Sequence, residues 1–400
     1  MWQFSIPILF MDVWPRTLLP TILYTLVLNI AMFVLMPIAG SWVDTLPRLS
    51  LMVVTIIVDN LCVVISCMLL YATTYNGQEA STNWILFCLI LAVAIPGQLL
   101  VNVGKIALEK DWVPVVAATD SGLLTQLNSR LKMIDLTCKF IGPMVFGFIL
   151  QWLGSDPTVR VRWGSAIVLC YNAVMTMPEC ICVSRVFAAC PNLRTVHKKS
   201  KAKKNPWIEF WNGWQLFRRH PIALASLSFA LLFTTVLSPG SLLLAYLKWV
   251  GVMEGILGAS IGFGAICGLL GAYAFPILRG KTNAGERMTL PTIGLFSVWM
   301  WFLWLVPIVV VMVLKQLHDV LLSGILMGHI ILFFVVVGRT WLWIFDLAEN
   351  QLLQERVRDE IRGRISGAQT AICQLFVVVI YALGLIFHRP DQFFVLCYTS

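Results

Sequence analysis

Charge is scarce in this chain. Only 12% of its 400 residues are Asp, Glu, Lys or Arg, while 59% are hydrophobic. That is about half the charged share of an ordinary soluble domain. Mean hydropathy is +0.83, more apolar surface than a water-soluble fold can hide, so the bilayer is the expected solvent. Catalytic signatures are missing too: there is no Walker loop, no HExxH and no GxSxG in a strand–helix setting, which argues against an enzyme. No CxxC pair occurs, and Cys180-Ile181-Cys182 is too close for zinc-ligand spacing. The eleven cysteines, among them Cys62, Cys67, Cys88, Cys138 and Cys267, read as small buried apolar side chains. The start, Met1-Trp2-Gln3-Phe4, has neither the basic region nor the cleavage site of a secretory signal. It reads as the second half of a first helix.

What is present is a succession of apolar runs. A spanning helix needs roughly 20 mostly apolar residues, so the chain has room for about ten to twelve. Runs fall near 1–13 (partial), 19–41, 50–72, 84–108, 125–153, 163–187, 221–247, 251–278, 289–314, 320–346, 363–387 and 391–400 (partial). The net charge of +9 sits in the connections, which speaks for topology and against a nucleic-acid partner. Loops with Arg48, Lys110, the cluster Arg185 to Arg219, Arg279 and Arg356 to Arg364 alternate with loops poor in Lys and Arg. The rich side is expected to be cytoplasmic, with the N-terminus there as well. The expected fold is an all-α membrane protein, a major-facilitator-like two-lobed bundle of about 11–12 transmembrane helices whose first and last helices are truncated. Residues 1–188 would form an N-terminal lobe and 221–400 a C-terminal lobe. A basic cytoplasmic linker, 189–220, joins them, and its Trp-rich stretch Pro206-Trp207-Ile208-Glu209-Phe210-Trp211 suggests an interfacial amphipathic helix.

Ionisable groups within lipid are costly, so those inside the runs are candidate functional residues. Asp59 and Asn60 lie mid-run. Asn172 and Glu179 are seven residues apart, two helical turns, and share a face. Pro178 is expected to break the helix and free a carbonyl beside Glu179. Together these oxygens would suit a hard cation; a hydrogen-bond network that merely holds the lobe together is the alternative. A second set occupies the cytoplasmic rims: Asp44, Arg48, Asp111, Asn128, Lys132, Asp135, Asp346, Glu355 and Arg362. Such charges could lock two lobes on one side or simply mark helix ends. Gly264-Ala-Ile-Cys-Gly268 has GxxxG spacing and reads as helix packing. His329 alone among the histidines lies deep in an apolar run and reads as a packing residue.

Several stretches resemble the ferroportin family of cellular iron exporters. They include Met1-Trp2-x-Phe4, Gly40-x-Trp42-Val43-Asp44-x-x-x-Arg48-Leu49, Asp111-Trp112-x-x-Val115-Val116-Ala117, and Leu127-Asn128 leading to Ile134-Asp135. The most specific runs from Arg339 to Gln369, with Trp343, Phe345-Asp346-Leu347, Gln351-Leu352-Leu353-Gln354-Glu355, Arg362-Gly363 and Gly367. The resemblance implies ferrous iron as transported substrate, calcium bound in the N-lobe, no prosthetic group, and a monomeric multi-pass protein of the plasma membrane. It further implies a cytoplasmic gate of Asp44, Arg48, Asp111, Asn128, Asp135, Asp346, Arg362 and Gly363, and an N-lobe cation site lined by Asn172 and Glu179. Asp59 stands where the family has glutamine. The family's metal-ligand positions differ: its first-helix Asp would precede Met1, its following His is Gln3, its seventh-helix Asp-Cys pair is Gly240-Ser241, and its eleventh-helix His is Ile380. Losing a thiolate and two imidazoles removes the soft ligands of a transition metal. Peptide-hormone control through that cysteine would have no thiol to act on. Three readings stay open: a metal exporter with altered ligands, a same-fold transporter of another cation or small solute, and a non-transporting relative acting as a membrane interaction protein.

Overall fold

A computed structural model of the chain describes residues 2–14, 19–74, 80–118, 120–154, 156–194, 206–238, 241–280, 288–317, 324–387 and 392–398. Among them there is no strand. Helices α1 (Trp2–Val13), α2 (Leu19–Thr45), α3 (Arg48–Thr73) and α4 (Ala80–Ile106) come first. A π-helical turn, Ala107–Trp112, carries α4 into α5 (Val113–Ala117). Then follow α6 (Ser121–Trp152), α7 (Pro157–Ala189), α8 (Pro206–Arg219), α9 (Ala223–Leu231), α10 (Ser241–Val250), α11 (Glu254–Arg279), α12 (Leu290–Leu317), α13 (Gly324–Arg356), α14 (Asp359–Ile386) and α15 (Phe393–Tyr398).

Nine helices are long and apolar enough to cross a membrane among the described residues, or ten if the bent α8–α9 pair counts as one. In lipid the backbone must satisfy its own hydrogen bonds, which is why uninterrupted apolar runs become helices. Their outward faces stay apolar, with Leu61, Ile85, Phe148, Val174 and Phe333 exposed, as a lipid-facing surface requires. Cys62 and Cys67 are buried as expected, but Cys88 and Cys138 are exposed. Lipid is as apolar as a protein core, so a cysteine in such a helix is free to face either.

Two local expectations are corrected. The run 221–247 is not one helix: α9 passes through a short 3-10 turn, Leu232–Thr234, and Thr235 is extended. The Thr235 hydroxyl takes the Leu237 N–H at 3.0 Å, a side-chain bond that competes with helix propagation. Pro178 does not break α7, which runs through it; losing one N–H is tolerated inside a long helix. The Trp-rich stretch is helical as expected, forming α8. It packs on α2 through Phe210, Trp214 and Phe33, while Trp207 and Trp211 stay exposed.

The chain forms two compact units that do not follow its midpoint. Unit 1 comprises 1–118, 141–223 and 357–375; unit 2 comprises 119–140, 224–356 and 376–400. In unit 1, α3 packs against α4 and α7, and α2 against α4. One core there gathers Phe10, Leu70, Phe87, Ile90, Phe146 and Val168; another joins Met32, Met36, Val103 and Trp112 to Ala371 of α14. In unit 2, α13 packs between α11 and α12, over a core that includes Leu243, Leu247, Ile308, Ile331 and Ile380.

Candidate functional site

Within unit 1, α3 carries Asp59 and Asn60 side by side, and α7 brings Glu179 against them. The Asn60 amide donates to Glu179 Oε2 at 3.0 Å and to the Ile56 carbonyl at 3.0 Å. Asp59 lies close enough to Glu179 for their charges to interact. It also faces α4, where a Cβ on Gly97 would sit 3.8 Å from its Oδ1. Two carboxylates and one amide oxygen are therefore held together on half-apolar helices, a hard, oxygen-only donor set. Asn172 departs from the expected cluster. Its Nδ2 bonds back to the Val168 carbonyl at 2.8 Å, the local bond open to any helical amide, so only its Oδ1 remains to face a ligand.

The rim residues are drawn into specific partnerships. Arg48, first residue of α3, makes a two-pronged contact with Asp111 of the π-helical turn, Nε to Oδ2 at 2.7 Å and NH2 to Oδ1 at 3.0 Å. Both side chains are almost fully buried, at 4% and 7% exposure. Asp44, near the end of α2, accepts from the backbone N–H of Gly363 at 2.6 Å and of Arg364 at 3.1 Å, and from Arg364 Nε at 3.2 Å. This is possible because α2 and α14 cross backbone to backbone: a Cβ on Gly363 would collide with the Gly40 carbonyl and Asp44, and one on Gly367 with the Met36 carbonyl. Arg362 donates to the Lys110 carbonyl at 3.1 Å and pairs with Asp359 at 2.6 Å. All of these contacts lie inside unit 1.

In unit 2, Asn128 of α6 and Gln354 of α13 exchange amide hydrogen bonds at 2.6 and 3.0 Å. Lys132 pairs with Asp346 at 2.6 Å. Gln351 and Gln354 are buried, as partners of Thr125 and Asn128. They went unmarked as functional candidates, although two uncharged amides inside an apolar helix are the same kind of signal as Asn60. Asp135 does not join this network; it pairs with Lys139 one turn along its own helix, at 2.8 Å.

The positions with altered ligands are scattered. Gln3 is exposed on α1, Ser241 begins α10, and Ile380 is buried against a cavity in unit 2. His329 bonds the Ile325 carbonyl of its own helix at 2.7 Å, whereas His197, His318 and His388 lie outside the described residues. Among the described residues no three His, Cys, Asp or Glu side chains are grouped so as to hold a metal ion.

Long apolar helices with inward-turned ion pairs are those of a multi-pass membrane protein. The proton:xylose symporter XylE shares this fold at a TM-score of 0.51 and 11% identity, covering 98% of this chain and 93% of that one. The chain belongs to the Ferroportin1 family, whose model matches residues 1–400. Solute carrier family 40 member 1 of Oryza sativa subsp. japonica is 26% identical over 98% of this chain and 83% of its own length. Ferroportin of Homo sapiens is 23% identical over 100% and 85%. A bacterial homologue of the iron transporter ferroportin, solved in an outward-facing state, matches at a TM-score of 0.81 with 21% identity, covering 100% of this chain and 91% of that one.

Proposed function

We propose that the chain is a metal-ion transporter that moves ferrous iron out of the cytosol by alternating access, as a plasma-membrane protein with its N-terminus inside. The observation that carries the reading is the Asp59–Asn60–Glu179 cluster in a chain matched throughout by the Ferroportin1 family. Two carboxylates placed together in apolar surroundings repel each other, and a divalent cation relieves that repulsion. Asp44, Arg48, Asp111, Arg362 and Gly363 act as the cytoplasmic gate in this reading. Release of residues 357–375 from Asp44 would be the opening step, a bistable contact of the kind that switches transporters. The proposed lobes remain 1–188 and 221–400, joined by 189–220.

A second reading is favoured by the donors themselves. Oxygen-only ligands suit calcium, magnesium or manganese better than they suit a soft transition metal. Efflux of radiolabelled ferrous iron from proteoliposomes, with calcium and manganese as competitors, tests both. Wild-type protein should move the metal, and Glu179→Ala or Asp59→Ala should abolish flux in well-folded protein. Flux of manganese or calcium but not iron would replace the first reading by the second. No metal flux at all, or unchanged flux in both variants, would sink the two together.

A further inference from the structure

Unit 2 has a half-open cavity of about 310 Å³, lined mainly by apolar side chains from α9, α10, α13 and α14, among them Phe229, Leu243, Leu342 and Ile380. That volume is at the lower end for small-molecule pockets. Its polar wall holds Arg339, Trp343 and Asp346, with the hydroxyls of Thr235, Ser238 and Tyr381 beside them. Arg339 and Trp343, one turn apart on α13, both line it. The guanidinium lies 5.6 Å from the indole ring, and the Lys132 ammonium lies 4.7 Å from the same ring. Arg339 Nε and Trp343 Nε1 are buried and have no hydrogen-bond acceptor. Both can only donate, so the partner they lack is an acceptor. Asp346 also lines the cavity, but its charge is matched by Lys132 at 2.6 Å. Arg339 is then the surplus charge of the wall, and it is positive.

The fold makes room for these two side chains. A Cβ on Gly264 of α11 would stand 3.1 Å from Arg339 Cδ, and one on Gly268 only 2.7 Å from the Trp343 ring. The GxxxG spacing of α11 thus clears space for a guanidinium and an indole rather than for a second helix backbone. Thr235 and Ser238, beside the break between α9 and α10, add hydroxyls to the lining.

We infer that this cavity is a binding site for a small organic anion, a carboxylate with an apolar body, held by Arg339 and Trp343. A planar carboxylate accepts from a guanidinium in the geometry that arginine favours, and the aliphatic and aromatic walls take the rest of the molecule. The site is separate from the Asp59–Glu179 cluster and does not rest on the cation reading.

Isothermal titration of the purified full chain in lipid nanodiscs, with EDTA present to exclude metal, tests it. The probes are benzoate and citrate, with inorganic phosphate and tetramethylammonium as controls. Saturable binding of a carboxylate probe is expected, weakened at least tenfold in Arg339→Gln and several-fold in Trp343→Phe, which keeps the ring and removes the N–H. Ile380→Trp, which fills the cavity without touching the donors, should abolish binding and decides the matter if the arginine variant does not fold. No saturable carboxylate binding by the wild type would overturn the proposal. So would binding undiminished in Ile380→Trp, equal affinity for phosphate, or a preference for the cation.

Discussion

Replacing Arg48 with methionine should cost about 3–5 kcal/mol, the range for removing one partner of a buried ion pair. Surface pairs are worth about 0–1 kcal/mol, so the magnitude depends on burial. Here the pair is fork to fork at 2.7 and 3.0 Å, with exposures of 4% and 7%, and Arg48 NH1 also reaches the Leu193 carbonyl at 3.4 Å. Methionine keeps the stem and the volume while taking the two-pronged partner away from the buried Asp111 carboxylate. Asp111→Leu should cost a similar amount for the mirror-image reason. The double variant removes both charges at once, so it should lie within about 1–2 kcal/mol of wild type, far from the sum of the single losses. The assay is reversible unfolding in mixed micelles, following tryptophan emission, for the four proteins of the cycle. A single-variant loss below about 1 kcal/mol, or a double variant equal to the sum of the singles, would refute the claim that this is a desolvated, mutually dependent pair.

Two further outcomes follow from the same contacts. Gly363→Ala should destabilise the crossing of α2 and α14 by about 1–3 kcal/mol, the usual cost of overpacking, because its Cβ would meet the Gly40 carbonyl and Asp44; hydrogen exchange should speed up in residues 357–375 and nowhere in α12, and an unchanged exchange map would contradict it. Asn128→Leu should cost about 1–3 kcal/mol by removing both hydrogen bonds it exchanges with the buried Gln354 amide, whereas Asn128→Leu with Gln354→Leu should recover part of that loss in the same unfolding assay, and equal losses for the single and double variants would show that the amide exchange is not what holds α6 to α13.

How far the molecule could be read from its residues depends on the kind of interaction. Spans were legible because lipid imposes one condition on every residue in a run, and α2, α3, α12 and α13 fall where hydropathy places them. The interruption after α9 was not, since average hydropathy is blind to a single hydroxyl that captures the Leu237 N–H. Partnerships were less legible than residues. Asp44 stands out as a charge, but its main partners are backbone N–H groups of Gly363 and Arg364, and backbone donors carry no sequence mark. Asp135 shows the reverse case: its partner Lys139, four residues on, was visible in the spacing, and the local pair prevailed over the long-range one expected. Nor does hydropathy reveal that residues 119–140 and 357–375 join units drawn from the other half of the chain, because it identifies helices without saying what they touch.

The residues that match the ferroportin pattern and those that depart from it differ in physical situation. Gly363 and Gly367 sit where two backbones cross, and a side chain on either would collide with a carbonyl, while Asp44 accepts from the backbone N–H groups there. Arg48 and Asp111 are buried against each other, so a change in one strands the other. Such positions resist substitution whatever the cargo. Ile380, by contrast, lines a cavity as well as the unit 2 core, and Gln3 is exposed. Ile380 nonetheless has a chemical consequence. An aliphatic wall offers no lone pair to a hydrated cation, and the Arg339 guanidinium that lines the same space repels one. The oxygen cluster of Asp59, Asn60 and Glu179 has the opposite sign. In the proposed function, machinery that moves helices and chemistry that selects cargo therefore occupy separate residues, and the second can be rewritten while the first is held fixed by packing.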